Sequence, residues 1–381
     1  MPPGPQRSLQ REALAAFFVS RGGLFLFAWL GLLLAPEMWN DAGWRALPDK
    51  LWLDAWARWD SGWYWGIARD GYNYTPGRES NVNFFPLYPL LSWLVGAPFR
   101  WLLSAEQAFY LGGWLVSLTA FLLALLGLAR LGEQVVGSAA TRRALWLLAL
   151  FPLSLFFGAC YTESVFLALG VWAFRFAKQD RWPLAALLAG LAGALRMPGA
   201  LVGIALGVEF LWHRRWRGPT GLRDTVAMAL MPVPLGLHCL HLYLQFGDPL
   251  LFVHTATTTW GRKVTPWHMV IAVRDVFGTH SQIDRLKLLT YLTGTAGVFA
   301  LGLRLLWRRE VGLATFALAS MTLAALSGAD SLGRYASVLF PAFLELGLLT
   351  AAPWSFRLYL AFAVPLLLLF THVFAHWGPI F

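Results

Sequence analysis

The sequence predicts an all-α polytopic membrane protein. Three observations carry that expectation. Hydrophobic residues make up 58% of the 381 residues and charged residues only 13%, whereas average soluble domains carry about 25% charge. The apolar residues gather in runs near the length needed to cross a bilayer. The arginines fall in short clusters between those runs, as topology signals do. The net charge of +10 is therefore read as membrane orientation, with lipids as partners and no nucleic acid.

Each span follows from its own run. Candidate crossings lie near 14–35, 107–129, 143–160, 161–177, 223–244, 287–306, 311–327, 335–352 and 357–376. The first run follows Arg7, Arg11 and Arg21 with no small-residue cleavage site after it, so it reads as a retained span rather than a signal peptide. The basic clusters are Arg130/Arg142/Arg143, Arg175/Lys178/Arg181, Arg214/Arg215/Arg217/Arg223, Arg304/Arg308/Arg309 and Arg357. Placing all of them in the cytoplasm with the N-terminus gives one consistent topology.

That topology makes FFPLYPLLSWLVGAPFRWLL (84–103) surplus as a crossing. Its prolines, Pro86, Pro89 and Pro98, fit a broken, interfacial or re-entrant segment. Residues 183–213 begin and end at cytoplasmic clusters, so they must enter and return. Each arm has about 13 residues, roughly 20 Å of helix against a core of about 30 Å. Arg196 then sits at the apex of a short hairpin. With the hairpin counted as two, the expectation is about eleven transmembrane helices in one domain, 1–381. The polar chemistry gathers outside, in 36–106, 245–286 and 327–334.

The outer loop 36–106 contains RWDSGWYWGIARDGY (58–72). Trp52, Trp56, Trp59 and Trp63 fall at i, i+4, i+7 and i+11, which on one helix is a narrow stripe. Such a helix lies in the interface plane, with Asp60 at the border of the stripe, about 80° from Trp52. Ser61-Gly62 is the point where that helix would end or bend. An ionisable group held at such a border is costly unless it is used or solvated.

The stretch 58–72, followed by ESNVNFFPLYP (79–89), resembles the signature of the PIG-V family. These are the GPI mannosyltransferase 2 enzymes and their prokaryotic relatives, within the GT-C glycosyltransferases. The matching residues are Trp59-Asp60, Ile67-Ala68, Gly71-Tyr72, Glu79 and Phe84-Phe85-Pro86. FPLSLFFGACYTES (151–164), ALRMPG (194–199) and SLGRY (331–335) extend the match. Departures are Gly66 where the family often has His, Met197-Pro198 where it often has Asn, and TATTTWGRK (255–263) in place of a Gln-containing element. They bear on acceptor recognition more than on chemistry.

The resemblance implies a GT-C-like fold with interfacial helices in the first outer loop. It implies transfer of mannose from a polyprenyl-phosphate-mannose donor to a lipid-linked acceptor on the non-cytoplasmic face, by an inverting single displacement. Asp60 is then the general base. Arg196 and Arg334 are the candidate donor-phosphate ligands, and Trp59, Tyr64, Tyr72, Glu79 and Glu163 candidate substrate contacts. The residues agree with the chemistry: no Gly-rich nucleotide turn is visible, and sugar transfer needs a base and positive charge for a departing phosphate.

Each residue also has a plainer reading. Asp60, Glu79 and Asp70 fit solvated loop acids, and Glu163 a capping acid at the turn between two spans. Arg196 could snorkel, and Arg334 could pair with Asp330. His238, Cys239 and His241, and separately His372 and His376, have spacings that metal ligands use, but no convincing third and fourth ligands accompany them. No metal and no cofactor are expected. A transporter or flippase of a lipid-linked glycan is the competing class, but related halves and mid-depth broken helices are not evident. Arginine far outnumbers lysine, as in GC-rich prokaryotes, which would make the membrane the cell membrane; in a eukaryote it would be the endoplasmic reticulum.

Overall fold

The computed structural model describes residues 5–35, 45–217 and 221–380. Part of the first outer loop, 36–44, and part of the Arg214–Arg223 cluster, 218–220, lie outside the described residues. Every regular element described is helical, as expected. Five helices are long and apolar enough to cross a membrane: Arg7–Leu34, Ala105–Val136, Leu222–Phe246, Gln282–Trp307 and Pro353–Ala375. A sixth candidate is the pair Leu332–Val338 and Phe340–Leu349, bent by 75°. Leu87–Phe99, Trp182–Gly193 and Val311–Ser327 are apolar but shorter. The protein is thus a multi-pass membrane protein, and among the described residues length and composition single out five crossings, or six with the bent pair.

The chain folds as two compact units. The first comprises Met1–Gly71, Leu87–Ala168 and Leu346–Phe381. Its longest helix, Ala105–Val136, starts at a reciprocal cap in which Ser104 Oγ accepts from the Gln107 N–H and the Gln107 side chain reaches back, the S-x-x-Q arrangement. The short helix Leu87–Gly96 lies against it with main chain touching main chain. A Cβ on Gly112 would collide with the Ser92 carbonyl, and one on Gly96 with the Ala108 carbonyl. Small residues at such crossings let helices approach closely in a membrane. The segment 84–103 accordingly is a short helix and a 3₁₀ turn, as its prolines indicated.

Arg21 is inside the first crossing, not flanking it. It is 6% exposed and donates to the Ala149 carbonyl at 2.9 Å, to Ser154 Oγ at 3.1 Å and to the Ser154 carbonyl. Its guanidinium lies 4.8 Å from the Phe121 ring centre. A charge at that depth is tolerated only when so many groups receive it. Those acceptors explain a second difference. Residues 143–160 are not one helix: Ser138–Ala149 ends, and Ser154–Phe157 is a 3₁₀ turn. The interruption frees carbonyls that Arg21 then uses.

The second unit comprises Tyr72–Pro86 and Leu169–Glu345. Residues 182–217 form two helices joined by a turn, Trp182–Gly193 of 12 residues and Gly199–Arg217 of 19 residues, the second longer than the arm read from the sequence. Glycine is required at 199 because a Cβ there would strike the Ala192 carbonyl. At the base of the hairpin Lys178 bridges Glu209 at 2.8 Å and Glu310 at 2.7 Å. Glu345, fully buried, receives Arg304 at 2.8 Å and also Arg308. Two of the basic clusters read as topology signals are therefore also structural ion pairs.

The topology makes a direct prediction. With Cys239 replaced, since it is only half-buried, cysteines introduced near residues 60, 250 and 330 should react with an impermeant maleimide from outside. Cysteines near 136, 218 and 309 should not, and labelling at 218 from outside would overturn the hairpin.

Candidate active site

The tryptophan stripe does not form on one helix. Leu51–Asp54 is a single turn, the chain then leaves helical geometry, and a new helix runs Ser61–Asp70. Trp59 adopts φ +48, a conformation costly for a bulky side chain. Trp56 is buried rather than lipid-facing. Ser61 begins a helix where an end was expected.

The physical cause is a pair that the periodicity argument passed over. Asp54 and Arg58 are both fully buried and meet at 2.6 Å. Arg58 also donates to the Ala375 carbonyl through Nε at 2.9 Å and Nη2 at 2.8 Å, and to the Asp54 carbonyl. Its guanidinium lies 5.1 Å from the Trp377 ring centre. The second Asp54 oxygen accepts the Leu47 N–H at 2.8 Å. Burial pulls the Arg58 guanidinium below its ordinary range, and the Asp54 carboxylate opposes that pull. A buried ion pair is stable only with its remaining hydrogen-bonding capacity satisfied, and here carbonyls and an N–H supply that.

Asp60 is placed by this framework. Ser61 Oγ donates to the Arg58 carbonyl at 2.8 Å, and the Asp60 N–H donates to Tyr161 Oη at 3.2 Å. The Cys160 N–H donates to the Trp56 carbonyl at 3.0 Å, so the segments around 56–60 and 160–161 run side by side. Asp60 is half-buried and precedes the helix, yet its side chain makes no capping bond to it. Glu163 stands two residues beyond Tyr161, buried, as the first residue of Glu163–Ala177.

Aromatic residues close the surroundings in this unit. Trp59 packs on Trp377 with ring centres 5.4 Å apart. Tyr64 is buried on Tyr88 at 5.0 Å. The Tyr88 hydroxyl reaches the Gly113 carbonyl at 3.0 Å and Ser117 Oγ at 2.9 Å, and Ser117 Oγ donates onward to the Tyr161 carbonyl at 3.3 Å.

The second unit holds the other candidates. Arg196 occupies the hairpin turn, its guanidinium 5.1 Å from the Tyr335 ring centre. Tyr335 adjoins Arg334 on the Leu332–Val338 helix, so the weakest motif blocks, ALRMPG and SLGRY, meet in space. Asp330 lies 3.8 Å from Arg262. Tyr72 donates to the Phe84 carbonyl at 2.8 Å, and its ring lies 5.6 Å from both His238 and His241. Glu79 is exposed.

Two histidines differ: His238 is packed among aromatic rings with both ring nitrogens buried and unbonded, whereas His376 is held by the main chain. His238 is enclosed by Phe85 at 4.4 Å and Phe252 at 6.0 Å. Both ring nitrogens of His376 lie against main-chain carbonyls, of His372 at 2.7 Å and Ala35 at 2.8 Å. Among the described residues no three His, Cys, Asp or Glu side chains group closely enough to hold a metal ion.

The residues that sequence reasoning missed are Asp54, Arg58, Tyr161 and Trp377. One signal was available: an acid four residues before an arginine is the spacing of a helical ion pair.

A helical protein with several membrane-length apolar helices is the setting in which the comparisons fall. Residues 45–215 match the family model described as Mannosyltransferase (PIG-V). The chain is 30% identical to the GPI alpha-1,6-mannosyltransferase 2 of Mus musculus over 215 residues, covering 51% of this chain and 41% of that protein. It is 32% identical over 169 residues to the enzyme of the same description from Cricetulus griseus, covering 42% and 32% respectively. The match thus spans less than half the length of these curated relatives. Among solved structures, the Archaeoglobus fulgidus oligosaccharyltransferase, crystallised with Zn and sulfate, aligns with 94% of this chain and 53% of its own at 16% identity and a TM-score of 0.45. The resemblance of the motif to the PIG-V mannosyltransferases therefore holds across residues 45–215.

Arg58→Ala should leave Asp54 charged, buried and unpaired. Loss of one partner of such a pair costs about 3–5 kcal/mol. Thermal unfolding in detergent should shift down sharply, and Asp54→Asn/Arg58→Met together should recover part of the loss.

Proposed function

We propose that the chain is a membrane glycosyltransferase that moves mannose from a polyprenyl-phosphate-linked donor to a lipid-linked acceptor at the non-cytoplasmic face. The observation that carries this reading is the placement of Asp60. It directly follows a main chain fixed by the Arg58–Asp54 pair, inside the stretch that matches the family.

In the proposed step Asp60 accepts the proton of the acceptor hydroxyl as that oxygen attacks the anomeric carbon. The bond from that carbon to the phosphate oxygen breaks, and polyprenyl phosphate departs with the electron pair. One displacement inverts the anomeric configuration. A general base must lie within about 2.6–3.2 Å of the proton it takes, directly or through one water. The half-buried position keeps the carboxylate open to such an approach.

Arg196 and Arg334 are proposed to hold the donor phosphate. Arginine pairs bidentately with phosphate and stays charged. The position of the Arg196 guanidinium over the Tyr335 ring, 5.1 Å from its centre, supports this role over free snorkelling. Trp59, Tyr64 and Tyr72 are proposed as aromatic walls for substrate. Glu163, buried beside the Tyr161 segment, is proposed to orient rather than to accept the proton. Glu79, being exposed, is assigned solvation or a rim contact.

Asp60→Asn should fold and bind the prenyl-phosphate sugar while transfer falls roughly 10²–10⁴-fold, measured in reconstituted membranes. Near-wild-type transfer would refute the base assignment and shift the role to Glu163. Arg196→Ala should weaken donor affinity and slow transfer together, because a phosphate contact exists in both ground and transition states.

The leaving group is a monophosphate, whose charge two arginines can balance. Transfer should therefore persist in excess EDTA. A strict requirement for Mg²⁺ or Mn²⁺ would overturn that reading.

A further inference from the structure

The second outer region carries a cavity for which the mechanism has no use. Its volume is about 190 Å³, and its lining includes Trp260, Arg262, His268, Asp275, Ser327 and Asp330. It lies wholly in the second unit. Another cavity in the protein, of about 220 Å³, is lined mainly by apolar side chains such as Phe17, Phe18, Phe25 and Leu118. The contrast is chemical: one indole face, two carboxylates, one guanidinium, one imidazole and one hydroxyl converge on a space well below the roughly 300–1,000 Å³ of drug-sized pockets.

We propose that this cavity binds a single sugar ring, as the recognition site for the carbohydrate part of an acceptor. The biological role rests on the transferase reading above; the binding itself does not.

Hydroxyl-rich ligands donate to carboxylates and accept from guanidinium and imidazole N–H groups, and the lining supplies both. Arg262 and Asp330 stand 3.8 Å apart, an ion pair too long to be a hydrogen bond. Their donors and acceptors are thus not consumed by each other. His268 Nε2 donates to the Lys263 carbonyl at 2.7 Å, which holds the ring in place. Asp275 is paired with Arg274 at 3.0 Å, so Asp330 is the carboxylate offered to a ligand hydroxyl.

The walls are held by the backbone. Trp260 meets Phe84 of the Phe84-Phe85-Pro86 motif edge to face, with ring centres 6.0 Å apart at 76°. The Thr265 N–H donates to the Leu326 carbonyl at 2.8 Å, joining the two segments that form the cavity. Gly328 has φ +139, and a Cβ there would press on Arg262 Nη1 at 3.3 Å. Trp260, Arg262 and the intervening Gly261 belong to TATTTWGRK, where this chain departs from the pattern it resembles. The cavity is therefore a feature of this chain's own recognition.

The test uses the full chain in lipid nanodiscs, with saturation-transfer NMR and calorimetry. The probes are octyl α-D-mannopyranoside and octyl β-D-glucopyranoside, with octanol and octyl phosphate as comparators. At least one glycoside should bind saturably, with octanol and octyl phosphate weaker. Asp330→Asn, a conservative change at an exposed residue, and Trp260→Ala should each weaken it about ten-fold or more, the scale of a lost hydrogen bond to a charged group. Trp260→Phe should retain most of the affinity. Asp60→Asn should bind the glycoside as the wild type does.

Equal glycoside affinity in wild type, Asp330→Asn and Trp260→Ala would overturn the proposal. So would stronger binding of octyl phosphate, which would mark an anion site, or equal binding of octanol, which would mark a lipid crevice. If Asp60→Asn still transfers sugar while Trp260→Ala loses the glycoside, the catalytic assignment fails and the sugar site stands.

Discussion

The first unit depends on one buried charge pair. Asp54 and Arg58 are completely enclosed and bound to each other and to main-chain groups at both ends of the unit's sequence. Two ions leave water only at large cost, so the geometry around them tolerates little variation. That constraint explains why a chain with tryptophans spaced for one helix abandons it after Asp54. Arg58 can satisfy Asp54 and Ala375 together only if the backbone turns between them and Asp60.

The same principle recurs wherever a charge lies inside the protein. Arg21 collects carbonyls from an interrupted helix, Lys178 bridges two glutamates, and Glu345 takes two arginines. Each joins segments distant in sequence. In a membrane, where apolar contacts between helices gain little over contacts with lipid, such polar ties and the glycine crossings at Gly112 and Gly199 set which helices are neighbours.

Much of this was legible in the sequence, because hydropathy and proline act locally. The all-helical class, the long spans, the broken segment at 84–103 and the 183–213 hairpin with Arg196 in its turn all follow from such signals. The tryptophan stripe and the continuous span at 143–160 did not survive. In both cases a long-range bond overrides a local period: Arg58 to Ala375, and Arg21 to Ala149 and Ser154. For the site, the acid and the arginines were visible as residue types. The groups around the acid were not, because Tyr161 and Trp377 acquire meaning only once remote segments have met.

The bond from Arg58 to the Ala375 carbonyl spans 317 residues, and this has a temporal consequence. During synthesis at roughly 5–20 residues per second, the loop bearing Asp60 emerges early, while its counter-anchor is made many seconds later. Until Pro353–Ala375 is inserted and docked, Arg58 lacks the Ala375 carbonyl, which accepts two of its hydrogen bonds. The motif therefore waits without that anchor while the intervening residues are made. The last described transmembrane helix acts as a latch that sets the first outer loop, and a nascent chain halted short of it would hold all the motif residues but not their arrangement.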